Sequence, residues 1–169
     1  MVSSLERALY PRPKGRGFTA QYDKTINGLT VGVLNKCIEE AISSDFKLKV
    51  GAVIFKGKRI ISSGHNGSRH CRIHPRYQDY PNSLHAEQDA LIGMDWNNVR
   101  GCNIIVIRVN PSGKLAESRP CDKCYELLKY VGIKKVYYSL ATGEIQMSPL
   151  EDLDLRCFHL QKKLQKDRS

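Results

Sequence analysis

No stretch of the 169-residue chain approaches the roughly 18 uninterrupted apolar residues that a membrane span needs. Nor does the opening Met1-Val2-Ser3-Ser4-Leu5-Glu6-Arg7 carry the apolar core of a secretion signal. A cytoplasmic protein with no membrane partner is the expectation. Internal repeats and low-complexity tracts are also absent, so the chain reads as an ordinary packed domain rather than a stacked array. The length suits one domain with a proper core and is short for two. Six cysteines (37, 71, 102, 121, 124 and 157) are enough for a disulfide framework, but the chain is neither small nor visibly secreted. Reduced thiols, two of them on a metal, fit better than a disulfide framework.

Acidic residues are scarce relative to basic ones, 17 against 27, for a net charge of +10. The excess lies mostly at the ends: residues 1–28 contribute +3 (five basic, two acidic) and residues 156–169 contribute +4 (five basic, one acidic). Basic ends fit either solubility or contact with phosphates.

The segment 10–17 alternates Pro, Gly and cations and sustains no regular periodicity. Three parts follow: a basic flexible arm over 1–28, a catalytic domain over 29–147, and a basic C-terminal helix over 148–169. Leu29, Val33, Leu34, Cys37, Ile38, Ala41 and Ile42 keep the 3, 4 rhythm of a helix with one buried face. Residues 50–55 and 60–64 flank Lys56-Gly57-Lys58-Arg59 as a hairpin with a four-residue loop. A long loop over 65–82, of a length usually reserved for function, leads to a helix over 83–94. The β-branched run 104–107 and a second loop over 110–119 come next. Pro120 is placed to be the first residue of a helix to about residue 130, since its missing N–H costs nothing there. Residues 136–139 and 144–147 read as strands too close together for a parallel crossover, hence antiparallel. Over 149–166, Leu150, Leu153, Leu160 and Leu164 form the stripe of a basic amphipathic helix.

Two short strings carry the chemistry: His85-Ala86-Glu87 at one helix start and Pro120-Cys121-Asp122-Lys123-Cys124 at another. Cys121 and Cys124 stand about one turn apart, so both sulfurs can reach one ion. A helix N-terminus favours the thiolate that binds metal. His85 is the obvious third ligand, and three ligands leave zinc an open position. Glu87 then supplies a carboxylate able to move protons. A redox dithiol or a structural zinc would use the same cysteines, but neither explains Glu87.

These residues match the His-x-Glu and Pro-Cys-x-x-Cys signature of zinc deaminases, and residues 29–147 resemble the cytidine and deoxycytidylate deaminase family. The resemblance implies a three-layer α/β/α fold with a mixed sheet of about five strands, the last two antiparallel. It implies Zn²⁺ on His85, Cys121 and Cys124, with Glu87 catalytic. The string Gly64-His65-Asn66-Gly67-Ser68 looks like the family's Gly-x-Asn-Gly loop, which makes Asn66 a substrate residue, and the backbone N–H at Ala86 corresponds to one that fixes the base carbonyl. One departure is Glu117-Ser118-Arg119 ahead of Pro120, where relatives carry a Thr and an apolar residue. Arg119 there could read phosphate, pair with Glu117 or point to solvent.

The implied activity is hydrolytic deamination of a cytosine nucleotide or nucleoside, by a homo-oligomer. Arg69, Arg72 and Arg76 are further phosphate candidates, and His70, Cys71 and His74 could bind a second, structural zinc. Two other readings stay open. A polynucleotide-editing deaminase, acting on tRNA adenosine or single-stranded cytosine, would use the basic ends with Tyr77 and Tyr80 as stacking platforms. A non-catalytic zinc-binding module would have no use for Glu87.

Overall fold

The computed structural model describes residues 28–69, 72–78 and 83–153. Of the expected N-terminal arm only Gly28 falls inside these bounds.

Helix α1 spans Val31–Ser43 and buries Val33, Leu34, Cys37, Ile38 and Ala41, the stripe read from the sequence. It begins two residues later than expected because Thr30 is its N-cap, accepting the Val33 N–H at 3.3 Å. Strands β1 (Lys49–Lys56) and β2 (Arg59–His65) form the hairpin. Its loop is two residues rather than four, because Lys56 and Arg59 pair with one another and Gly57 takes a φ of 59° at the turn. Strand β3 (Asn103–Val109) pairs antiparallel with β1. A two-residue strand, β4 (Leu115–Ala116), lies against its end. Strand β5 (Lys135–Ser139) runs parallel to β3, and β6 (Ile145–Pro149) antiparallel to β5. The strand order is β2-β1-β3-β5-β6, with β4 off this path. The mixed sheet with an antiparallel final pair is the architecture expected.

β3 is buried on both faces. Ile104 and Val106 join one core cluster, while Ile105, Ile107 and Val109 join the cluster beneath α1. An unbroken apolar run is what a strand between two helical layers requires. Layer spacing is set by close contacts at two glycines. A Cβ on Gly51 would lie 2.3 Å from the Cys37 carbonyl oxygen of α1. On the other face, helix α2 (Ala86–Leu91) packs on β2, where a Cβ on Gly64 would lie 2.5 Å from the Ala90 nitrogen.

The expected helix over 83–94 is thus shorter. Leu84 is engaged in an extended bridge with Gly67, Gly93 turns the chain at φ 75°, and Asp95 caps a separate helix α3 (Trp96–Val99). Helix α4 spans Asp122–Val131. Pro120 is not its first residue: Cys121 is the N-cap, held extended with its Sγ accepting the Cys124 N–H at 3.4 Å. The helix ends at Gly132, φ 85°, in the left-handed conformation that closes many helices. After β6, Leu150–Asp152 form one 3-10 turn that buries Leu150 and Leu153 in the core, in place of the helix expected from 149. The remainder of that expected helix, Leu160 and Leu164 included, lies outside the described residues. No helix among the described residues is long and apolar enough to cross a membrane.

Candidate metal centre and active-site cavity

Two helix starts converge. His85 is the N-cap of α2 and Cys121 the N-cap of α4, so each places its side chain beside a helix end whose free N–H groups favour negative charge. The His85 Nδ1 lies 3.3 Å from the Cys124 Sγ and 3.5 Å from the Cys121 Sγ. The three ligand atoms lie within 4.8 Å of one another. Among the described residues this is the only group of three or more His, Cys, Asp or Glu side chains that could hold a metal ion. One imidazole and two sulfurs, with Cys124 buried and His85 and Cys121 partly open, suit zinc with room for a fourth ligand. The Cys121 thiol is pulled down to about 5, chiefly by a hydrogen bond from the Cys124 side chain. The imidazole and the Cys124 N–H help it against burial.

Glu87, at the second position of α2, is 5% exposed. Burial pushes its carboxyl above the ordinary range, and the nearby Cys121 adds to this; His85 and hydrogen bonds from its own N–H and from Cys124 oppose it.

A cavity of about 280 Å³ opens beside these groups, and Asn66, His85, Ala86, Glu87, Arg119 and Cys121 all line it. Asn66 is tied down by its neighbours: its Nδ2 donates to the Leu48 carbonyl (2.7 Å) and its Oδ1 accepts the Val50 N–H (2.9 Å). Arg119 reaches Glu117, Nε to Oε1 at 3.4 Å, and its guanidinium stacks 5.2 Å from the Tyr138 ring centroid. Of the three dispositions open from the sequence, the pairing with Glu117 is the one observed. The 116–120 segment that carries it is anchored by a buried serine pair. Ser118 Oγ donates to the Val106 carbonyl (2.6 Å) and accepts the Ser139 N–H (2.7 Å), filling the gap where β3 and β5 part.

The other sequence candidates lie elsewhere. Arg69 donates to Asp89 (3.1 Å) and to the His65 carbonyl (3.0 Å). Arg72 and Arg76 are exposed, with the Arg76 guanidinium 5.9 Å from the Tyr77 ring centroid. His74 Nδ1 accepts the Arg76 N–H as the cap of the 3-10 turn Pro75–Tyr77. His70, Cys71 and Tyr80 lie outside the described residues. Tyr77 is 8% exposed with its ring against Tyr130, so it offers no open stacking face.

Two residues went unread in the sequence. Gln88, fully buried, accepts the His85 N–H at 2.8 Å and donates to the Tyr77 carbonyl at 2.6 Å. A Gln three residues after a helix cap is a capping-box signal that was there to be found. Arg108, on the cavity wall, stands out in the sequence as a cation at the end of the apolar run 104–107.

Two helix starts presenting a His-Cys-Cys group over a mixed sheet define a metalloprotein. The family model for the cytidine and deoxycytidylate deaminase zinc-binding region matches residues 31–140, and the chain belongs to that family. It is 34% identical over 100 residues to an uncharacterized deaminase in the luxG 3' region of Aliivibrio fischeri, a match covering 56% of this chain and 60% of that protein. It is 30% identical over 108 residues to a deoxycytidylate deaminase of Mycobacterium phage D29, covering 53% and 77%. Among solved structures, a dCMP deaminase from the cyanophage S-TIM5 aligns with a TM-score of 0.44 at 22% identity, over 75% of this chain and 86% of that one. A cytidine deaminase from Mycobacterium tuberculosis aligns with a TM-score of 0.45 at 18% identity, over 70% and 88%.

Proposed function

We propose that this protein is a zinc-dependent hydrolytic deaminase of a cytosine nucleotide, replacing the exocyclic amino group with oxygen and releasing ammonia. The observation that carries the reading is the buried Glu87 sharing one cavity wall with His85 and Cys121, two of the three clustered metal-ligand candidates. His85, Cys121 and Cys124 would hold the zinc, which supplies Lewis acidity that makes water a usable nucleophile near neutral pH.

The chain's own groups do the rest. Glu87 takes one proton from the attacking water and delivers it to the ring nitrogen, then takes the second from the hydroxyl newly bonded to the ring carbon and passes it to the amino group, which leaves as ammonia while the carbonyl forms. Its burial keeps bulk water from competing for those transfers. Ala86, at the first helical position, has an N–H with no partner inside its helix, available to the base carbonyl. Asn66, oriented through Leu48 and Val50, faces the same cavity and is our candidate for a sugar hydroxyl. The relationship to the phage D29 deoxycytidylate deaminase favours a deoxycytidylate-like substrate.

Ammonia release from dCMP, deoxycytidine, adenosine and a cytosine-containing single-stranded oligonucleotide, each with the zinc-loaded protein, tests this. Preferred turnover of dCMP is expected. Turnover of the oligonucleotide alone would replace the mononucleotide reading with the polynucleotide one, and turnover of none would leave a zinc-binding module.

A further inference from the structure

Arg108 sits near the end of β3, its backbone fixed by pairing with Val50 on one side and Ala116 on the other, and by its N–H donating to Ser139 Oγ at 3.2 Å. Its side chain points at no such partner. The Nε is buried and makes no hydrogen bond, and no carboxylate of the described residues lies within ion-pair distance of its guanidinium. Of the two carboxylates that line the same cavity, Glu117 pairs with Arg119 and Glu87 stands beside the metal-ligand candidates.

A guanidinium always carries its charge, and burying one of its N–H donors without an acceptor is costly, here at Arg108 Nε in a residue otherwise half-buried. Such a group inside a fold is stabilised by a fixed partner or waits for one that arrives. Here the same residue lines the cavity that holds Glu87. The planar fork of an arginine matches the paired oxygens of a phosphoryl group better than it matches a single carbonyl or hydroxyl.

We infer that Arg108 is a specificity residue, taking the phosphoryl group of the substrate and selecting nucleotide over nucleoside. This rests on the deaminase reading above for its consequence in turnover, but the anion-binding role stands by itself. The Arg119 Nε is buried like that of Arg108, but it has an ion pair with Glu117 Oε1 at 3.4 Å, and its guanidinium lies over the Tyr138 ring. Arg108 is therefore the residue whose pairing is left for a ligand.

The test uses the zinc-loaded full chain in four forms: wild type, Arg108→Gln, Arg108→Lys, and Lys58→Gln, which removes one charge from the exposed hairpin turn as a control. Calorimetry measures inorganic phosphate binding, steady-state kinetics compares dCMP with deoxycytidine, and thermal melts report folding. Arg108→Gln should weaken phosphate binding and lower kcat/KM for dCMP by about 10–100-fold, the span of one or two charge-assisted hydrogen bonds. Deoxycytidine turnover should fall far less than dCMP turnover, Arg108→Lys should fall between, and Lys58→Gln should match wild type. Because the Arg108 side chain has no ion-pair partner among the described residues, the Gln variant should melt no lower than wild type. A merely structural arginine would lower the melting temperature instead, and that result overturns the inference. So does unchanged phosphate binding in Arg108→Gln, or an equal loss on nucleotide and nucleoside. If no form deaminates anything yet phosphate binding depends on Arg108, the deaminase reading falls and the anion site stands.

Discussion

Gln88 ties two segments together: its Oε1 accepts the His85 N–H at 2.8 Å while its Nε2 donates to the Tyr77 carbonyl at 2.6 Å. The backbone of a metal-ligand candidate is thereby fixed to the loop over 72–78 by a side chain with no exposure at all. Replacing Gln88 by Leu keeps the volume roughly but strands two backbone groups. Each unsatisfied buried group costs about 1–3 kcal/mol. Gln88→Leu should lower the melting temperature and, because His85 loses its anchor, weaken zinc retention against a chelator. A variant that melts lower but holds zinc as tightly as wild type would show that the bridge serves the fold and not the ligand.

Gly64 offers a prediction about placement rather than satisfaction. A Cβ there would meet the Ala90 nitrogen at 2.5 Å, and a helix backbone cannot rotate out of the way as a side chain can. Overpacking of this kind costs about 1–3 kcal/mol, and here it also pushes the helix that carries Glu87. Gly64→Ala should therefore cost both stability and turnover. Gly93→Ala is the comparison: its Cβ meets nothing within 4 Å, so only the strain of φ 75° applies, about 1–2 kcal/mol. A Gly64→Ala variant as active as Gly93→Ala would refute the close-packing argument.

The frame of this fold was legible wherever a period ran long enough to be read. The α1 stripe, the 104–107 strand and the antiparallel final pair came directly from apolar spacing and loop length. What escaped was decided by single contacts. Thr30 and Cys121 took the cap positions through one hydrogen bond each, displacing Leu29 and Pro120 from the helices. Strand β4 is two residues long and has no period to detect. Leu150 and Leu153 keep helical spacing, yet one 3-10 turn buries both. At the site, ligand spacing was readable because it is local in sequence, whereas Arg108 reaches the same cavity only through sheet topology.

Two groups that are not metal-ligand candidates set opposite pH limits on stability. Glu40 accepts from Ser63 Oγ (2.7 Å), His65 Nδ1 (3.1 Å) and Lys36 Nζ (3.0 Å). Burial pushes its carboxyl up, but these partners together hold it below its ordinary value. A depressed carboxyl contributes stability that is present above its ordinary pKa of 4.5 and is lost as pH falls through the lower folded value. Cys37 is the reverse. Its thiol, fully buried and donating to the Gly51 carbonyl at 3.3 Å, is pushed far above the ordinary 9.0 by burial. Its contribution is complete below pH 9.0 and declines as pH rises beyond it. Melting temperatures of Glu40→Gln and Cys37→Ala should accordingly diverge least from wild type at the acid and alkaline ends respectively. A constant offset across the whole range would show that neither group is linked to folding through its proton.

Glu87→Gln separates a proton-moving enzyme from a zinc-binding scaffold. The substitution keeps size and shape, and Glu87 is not among the three clustered ligand candidates, so zinc content should persist at wild-type level. Fold stability should not suffer either, because an amide is cheaper to bury at 5% exposure than a carboxylate. What the amide cannot do is accept and return a proton. General acid–base groups commonly contribute about 10²–10⁴-fold, and a carboxylate serving several transfers in one cycle belongs at the upper end. Deamination of dCMP should fall by about that factor in kcat, with KM shifting far less, since the lost group acts on the reacting atoms rather than on binding. Zinc by metal analysis, folding by thermal melt and turnover by ammonia release read the three quantities independently. Wild-type kcat in a folded, zinc-loaded Glu87→Gln variant would remove Glu87 from the reaction and require another group to carry the proton.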